Sequence, residues 1–291
     1  MAGVHRGFVH APMLIDRNAM ISGHVSKLLA AALFALLVFV PAFAARSAET
    51  GPRVAVVAFG LFGDQSVFES EATGAAQIVA DRFGGSPVIV RANTKSQSDA
   101  TVGALATALD SAAEGMDAEN DILALILTSH GSRTGLVVKA PGERDDMLWP
   151  QILAAMLDHA GVRHRVVIIS ACYSGVFIPL LANADTLVIT AADADHPSFG
   201  CQDGAEWTYF GDAFFNTAMR RTTNLRDAFV LARTLVRERE LRNGFDPSNP
   251  QMAGGENIEH RITGSLEPSS ATVWPDGGAM RPWPVQPEAQ H

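Results

Sequence analysis

The chain has 291 residues, 47% of them hydrophobic and 18% charged, with a formal net charge of -9 at pH 7. That balance supplies enough apolar side chain for a sizeable core and excludes a chain disordered throughout. The acidic surplus, with no clustered run of Lys and Arg, excludes nucleic acid as the main partner, because phosphate binding needs such clusters.

The first feature in chain order is a leader. Lys27 precedes an apolar run over 28–40, followed by the small-x-small site Ala42-Phe43-Ala44 before Ala45. This is the order of a basic n-region, an apolar h-region and a cleavage site. The apolar run is short for a full membrane span. Residues 1–44 are therefore expected to be an N-terminal extension and signal peptide, with Met20 as an alternative start. The remainder is expected in the periplasm or secreted, touching a membrane only if the leader stays uncleaved.

Residues 53–60, "RVAVVAFG", form a β-branched apolar run ending in Gly and predict a buried strand. Residues 66–85 predict a helix stopped by Gly84-Gly85. A second strand is expected over 87–93, a second helix over 101–116 and a third, strongly apolar strand over 121–131. "GLVVKA", 135–140, is too short to cross a sheet and is expected as a hairpin at its edge. Pro150 suits the first turn of a helix over 148–161, where its missing N–H costs little. Strands over 164–175 and 185–195 and helices over 208–220 and 225–244 complete the pattern.

Strands apolar on both faces, alternating with helices, imply a three-layer α/β/α sandwich around a mostly parallel central sheet. One domain is expected over 52–264. Residues 265–291 are rich in Pro, Gly and Ser and are expected to be a disordered tail.

Two of these strands end on reactive side chains. "LILTSHGS", 125–132, stops at His130 and Gly131, and "VVIISACYSG", 166–175, stops at Cys172. Ligands of open parallel sheets bind outside the carboxyl ends of the strands, and a crossover helix sets successive strands side by side. His130 and Cys172 are thus expected in one crevice. A thiol near its unperturbed pKa of ~8.5 is only a few per cent thiolate at neutral pH. A neighbouring imidazole can take its proton and later protonate a leaving amine. Gly131 lets a backbone N–H approach a substrate unobstructed, and the N–H of Cys172 is a second candidate oxyanion donor. Gly175 is expected to allow the tight turn that exposes the sulfur. No Cys-x-x-Cys or His-x-x-x-His pair supports a metal site, and Asp193, Asp195 and His196 read as a polar loop. No Gly-rich phosphate loop is present, so no cofactor is expected.

"TSHGS" and "SACYSG" resemble the His-Gly and Ala-Cys motifs of the legumain (asparaginyl endopeptidase) family, within the caspase-like group of cysteine peptidases. "SFGCQD", "TYFGDAFF" and the opening "VAFG…QSVFESEA…ADRF" extend the resemblance to the bacterial branch and to about 53–262. The resemblance implies a caspase/haemoglobinase-like fold and a hydrolase that cuts peptide bonds in peptide or protein substrates. His130 would be base and acid, Cys172 the nucleophile and Gly131 a backbone oxyanion donor. It also implies that His and Cys flank the scissile bond, so a close resting hydrogen bond between them is not required.

The substrate pocket departs from the family pattern. Legumains that cleave after asparagine use an Arg, a Glu and an Asp around the side chain. The Asp falls on Asp212 and a pocket Ser on Ser198, while the Glu falls on Ser170 and the Arg near Val67. Losing polar partners removes most selectivity from such a pocket, so strict Asn specificity is not implied. The Asn that supports the histidine in some relatives falls near Gln65, and Ser129 stands where plant and animal legumains have Asp. Cys201 is a free thiol near the pocket under the peptidase reading. A Cys172–Cys201 disulfide, the ordinary outcome for two cysteines in an oxidising compartment, would instead imply a noncatalytic peptide-binding domain. A transamidase on the same fold, as in the catalytic subunit of the GPI transamidase, is the other alternative.

Overall fold

The computed structural model describes residues 51–264; the expected signal peptide and tail lie outside them. In chain order the strands are β1 (Val54–Gly60), β2 (Val88–Ala92), β3 (Ile122–Thr128), β4 (Gly131–Ser132), β5 (Gly135–Val138), β6 (Asp146–Leu148), β7 (His164–Ser170), β8 (Thr186–Thr190) and β9 (Gln251–Ala253). The helices are α1 (Val67–Phe83), α2 (Val102–Ala113), α3 (Pro150–Ala160), α4 (Ile178–Leu181), α5 (Tyr209–Gly211), α6 (Leu225–Arg242) and α7 (Glu256–Gly264).

Successive side chains of a strand point to opposite faces, so an unbroken apolar run needs cover on both sides. β1 meets that need directly. Val54, Val56 and Ala58 pack into one core with Ile122, Ala124, Ile126 and the buried faces of α1, α6 and α7. Ala55, Val57 and Phe59 pack into a second with Leu123, Leu125, Leu127, α2, α3 and Leu181. The sheet separates these two cores in the order β2-β1-β3-β7-β8-β9, with β9 alone antiparallel. The expected three-layer sandwich with a mostly parallel sheet is the architecture found.

Three elements differ from expectation. Residues 135–138 do not edge the main sheet; they form the centre of a separate antiparallel sheet, β4-β5-β6, that rises from the end of β3. The sixth strand, β9, is only three residues long and carries no periodicity of its own. The helix expected over 208–220 is a single turn, α5, running into a π-helix over Asp212–Ala218. Phe210 stacks on Phe214 and Phe214 meets Phe215 edge-on in this segment, and all three rings are buried in the core.

The chain steps from β1 to β2 on one side and then to β3 on the other. The loops after β1 and β3 therefore diverge and open a crevice at the carboxyl edge of the sheet, as in other doubly wound sheets. Asn93, 1% exposed, anchors its rim. Its amide donates to the carbonyls of Leu61 and Ala100 at 2.9 and 3.1 Å, and its Oδ1 accepts from the Ala100 N–H at 2.8 Å. Asn93→Ala leaves these buried groups unpaired and is expected to cost about 2 kcal/mol. Urea unfolding should show a lower midpoint at unchanged slope; an unshifted midpoint would remove Asn93 from this role.

Candidate active site

β3 and β7 pair in parallel with Thr128 opposite Ser170, and the Ser129 N–H donates to the Ser170 carbonyl at 3.2 Å. His130 and Cys172 each lie two residues beyond those partners, so the pairing delivers them side by side. The two loops touch at Gly131. A Cβ there would lie 2.1 Å from the Cys172 carbonyl oxygen, a separation no side chain tolerates. Glycine is required because the backbones converge.

The imidazole of His130 is fixed on three sides. Phe62 and Phe68 meet it edge-on, with ring centroids 4.6 and 5.1 Å away and interplanar angles of 87° and 73°. Its Nε2 lies 2.5 Å from the Gln65 Oε1. A carbonyl oxygen can only accept, so Nε2 carries the hydrogen and Nδ1 keeps its lone pair. Burial among the two phenyl rings lowers the His130 pKa below its ordinary 6.5, because charge is penalised there. The ring is consequently neutral at pH 7. Gln65 is held in turn by its neighbour: Ser66 gives its N–H and hydroxyl to Asp203 Oδ1 at 3.0 and 3.1 Å. Lys95, 2.7 Å from Asp203 Oδ2, and these Ser66 bonds pull the Asp203 carboxyl down to about 2.

The sulfur of Cys172 faces Ser198. Among the described residues its hydrogen-bond partners are the Ser198 carbonyl at 3.3 Å, the Ser198 N–H at 3.3 Å and the Ser198 hydroxyl at 3.8 Å. The left-handed residue of the following turn is Tyr173, φ 55°, and not Gly175. Gly175 is needed instead for close approach, since a Cβ would lie 2.6 Å from the Ala194 nitrogen. The Tyr173 N–H donates to the His196 carbonyl at 2.9 Å. Arg133, in the turn between β4 and β5, lies over the Tyr173 ring and pairs with Asp195.

Both cysteines are free thiols, so the disulfide alternative is not the state observed. Burial, and then the nearby Cys172, raises the Cys201 pKa above its ordinary value. Of the expected substrate residues, Ser198 is at the sulfur. Ser170 is not exposed to a ligand: it is 2% accessible and its hydroxyl lies 3.1 Å from that of Thr208. Asp212 is also buried, with its carboxylate 2.8 Å from the Asn216 amide and 3.3 Å from Arg239. Their burial has separate causes: the end of β7 closes on Thr208, and the π-helix packs its Asp212 toward Arg239 of α6. Val67 is fully buried as well. Asp193 spends its carboxylate on His196 Nδ1 and Asn249, closing that polar loop on itself.

Sequence reasoning missed Phe62, Phe68 and Glu71. The last had a signal. Glu71 lies on the same stripe of α1 as Val67, Phe68, Ala72 and Ala75, where an acid facing the core demands an explanation.

An imidazole with a free lone pair and a thiol, on two loops that touch, are parts of nucleophilic acyl transfer. A family model described as the Peptidase C13 family matches residues 103–258. Among solved structures, the chain is similar to caspase-1 from Spodoptera frugiperda, with 14% identity over 70% of this chain and 87% of that one and a TM-score of 0.49. No curated protein matches it. Gly131→Ala should push the Cys172 loop away, slowing iodoacetamide labelling of Cys172 relative to Cys201 and lowering the unfolding temperature. Unchanged labelling of both thiols would contradict the close approach.

Proposed function

The chain belongs to the peptidase C13 family and is a cysteine-type peptidase acting on peptide or protein substrates; on that premise we propose that His130 and Cys172 are its catalytic pair. The observation that carries this reading is the register of β3 and β7, with Gly131 packed on the Cys172 carbonyl.

In the proposed reaction His130 Nδ1 takes the thiol proton and the thiolate attacks the scissile carbonyl. The developing oxyanion is met by the backbone N–H groups of Gly131 and Cys172. The imidazolium then gives its proton to the leaving amine, forming an acyl-enzyme, and a water activated by the same nitrogen releases the product. Two features of the geometry suit this sequence. Gln65 occupies Nε2, so Nδ1 is the nitrogen available for proton transfer. The Ser198 N–H, 3.3 Å from the sulfur, stabilises the thiolate once it forms. The resting thiol bonds to Ser198, which fits a substrate lodged between histidine and sulfur better than a preformed ion pair.

Ser198 meets the substrate beside the sulfur. Asp212 lies behind the pocket with Arg239, and Ser170 and Val67 are uncharged and buried. Cleavage with broad tolerance at the side chain before the scissile bond, in place of strict selection for asparagine, follows from that incomplete charge set. Export with cleavage after Ala44 belongs to the same proposal, on the composition of the leader.

Cys172→Ala should abolish peptide hydrolysis, and His130→Ala should lower kcat/KM by roughly 10²–10⁴-fold, both with thermal unfolding close to the native protein. Full activity in purified Cys172→Ala would end the reading. The pH profile supplies an independent check. Activity needs neutral His130, whose pKa lies below 6.5, so kcat/KM should hold as pH falls past 6.5 and then decline through a lower midpoint. Phe62→Ser admits water to the ring and should move that midpoint up toward 6.5. A midpoint that stays in place would exclude His130 as the titrating base.

A further inference from the structure

Glu71 has no role in the reaction just described, yet its carboxyl lies directly beneath the crevice with 0% exposure. Oε1 accepts from the Thr128 hydroxyl at 2.9 Å, and Oε2 accepts from the Thr208 N–H at 2.7 Å. The Ser170 hydroxyl bonds to the same carboxyl and lies 3.1 Å from the Thr208 hydroxyl. That hydroxyl accepts from the Gly211 N–H at 2.9 Å. Gly211 itself presses on the acid: a Cβ there would lie 2.0 Å from Oε2.

The identity of the partners carries the argument. Thr128 is the last residue of β3 and stands two before His130. Ser170 is the last residue of β7 and stands two before Cys172. Thr208 ends the loop that brings Ser198 to the sulfur and caps α5. Three segments that deliver separate parts of the site thus meet at one side chain from a fourth. Burial, partly offset by these hydrogen bonds, raises the Glu71 pKa above its ordinary 4.5. Its two oxygens accept from separate segments at once, Oε1 from the end of β3 and Oε2 from the Thr208 turn. An apolar residue would fit the pattern of this stripe of α1, but would leave the Thr128 hydroxyl and the Thr208 N–H without a partner.

We propose that Glu71 is a positioning residue of the active site: its carboxyl ties the ends of β3 and β7 to the Thr208 turn and so sets His130, Cys172 and Ser198 relative to one another. The proposal rests on the catalytic pair assigned above. Its leverage is geometric, since a displacement of about 1 Å between reacting groups can cost about 10²-fold in rate.

The test compares Glu71→Leu, Glu71→Gln and Ser170→Ala, with Cys172→Ala alongside, for kcat, KM, thermal unfolding and the iodoacetamide labelling rate of Cys172. Glu71→Leu should lower kcat by about 10- to 100-fold and alter the labelling rate, with KM within about threefold of native. Glu71→Gln keeps a donor and an acceptor at the same size and should recover most of that loss. Ser170→Ala removes one spoke and should lower kcat by about three- to tenfold without raising KM. Should Glu71→Leu not fold, the Glu71→Gln and Ser170→Ala results decide. Native kcat and labelling in a folded Glu71→Leu, native kcat in Ser170→Ala, a raised KM with unchanged kcat in Ser170→Ala, or Glu71→Gln as slow as Glu71→Leu would each overturn the node. Activity in Cys172→Ala would instead sink the catalytic pair. Inactive Cys172→Ala beside a fully active Glu71→Leu would sink only the role of Glu71.

Discussion

Everything in this molecule that bears on chemistry depends on the parallel pairing of β3 with β7. Both strands are buried on two faces, so their register is doubly specified: a one-residue slip would turn each apolar set toward the wrong helical layer. Residues 122–128 and 164–170 pair in full from Ile122 opposite His164 to Thr128 opposite Ser170. The loops that follow therefore start level with each other and are close enough for the Gly131 backbone to rest on the Cys172 carbonyl. Hydrophobic burial in two cores sets the coordinates of a polar site that contains almost none of that apolar surface.

Above the strand ends the interactions change character. The loop after β8 carries Ser198 to the Cys172 sulfur and Asp203 to Ser66, one residue from the Gln65 that holds His130. A single segment thus reaches both halves of the crevice. On the other flank Arg133 and Asp195 join the hairpin after His130 to the same loop, across the Tyr173 ring. Pairs this exposed add little to stability. Their effect is to limit where the loops can lie. Stability comes from the cores, and geometry at the rim comes from polar contacts between loops.

Burial also tunes the chemistry. His130 is packed between aromatic edges and loses affinity for its proton, which suits a base at neutral pH. The Cys201 thiol is pushed the opposite way by the same desolvation, so it stays protonated beside Cys172. The same desolvation thereby favours the uncharged form of both groups. Ser198 is the adaptable member: its peptide N–H favours thiolate while its carbonyl favours thiol, and the sulfur can use either.

The amino-acid order alone determined the layered class of fold, because period-two burial with no polar interruption has no other solution than cover on both faces. It also determined that His130 and Cys172 end neighbouring strands, because abrupt stops after apolar runs are local signals. What it could not express were contacts whose partners lie far apart along the chain. Glu71 meets Thr208 across 137 residues and Ser66 meets Asp203 across the same distance. Ser170 and Asp212 look like polar residues of a pocket until packing buries them. The antiparallel β9 and the π-helix at 212–218 were likewise invisible, since three residues carry no periodicity and β9 is defined by its pairing with β8. Periodicity reads what a residue buries. Only tertiary structure decides what it is buried against.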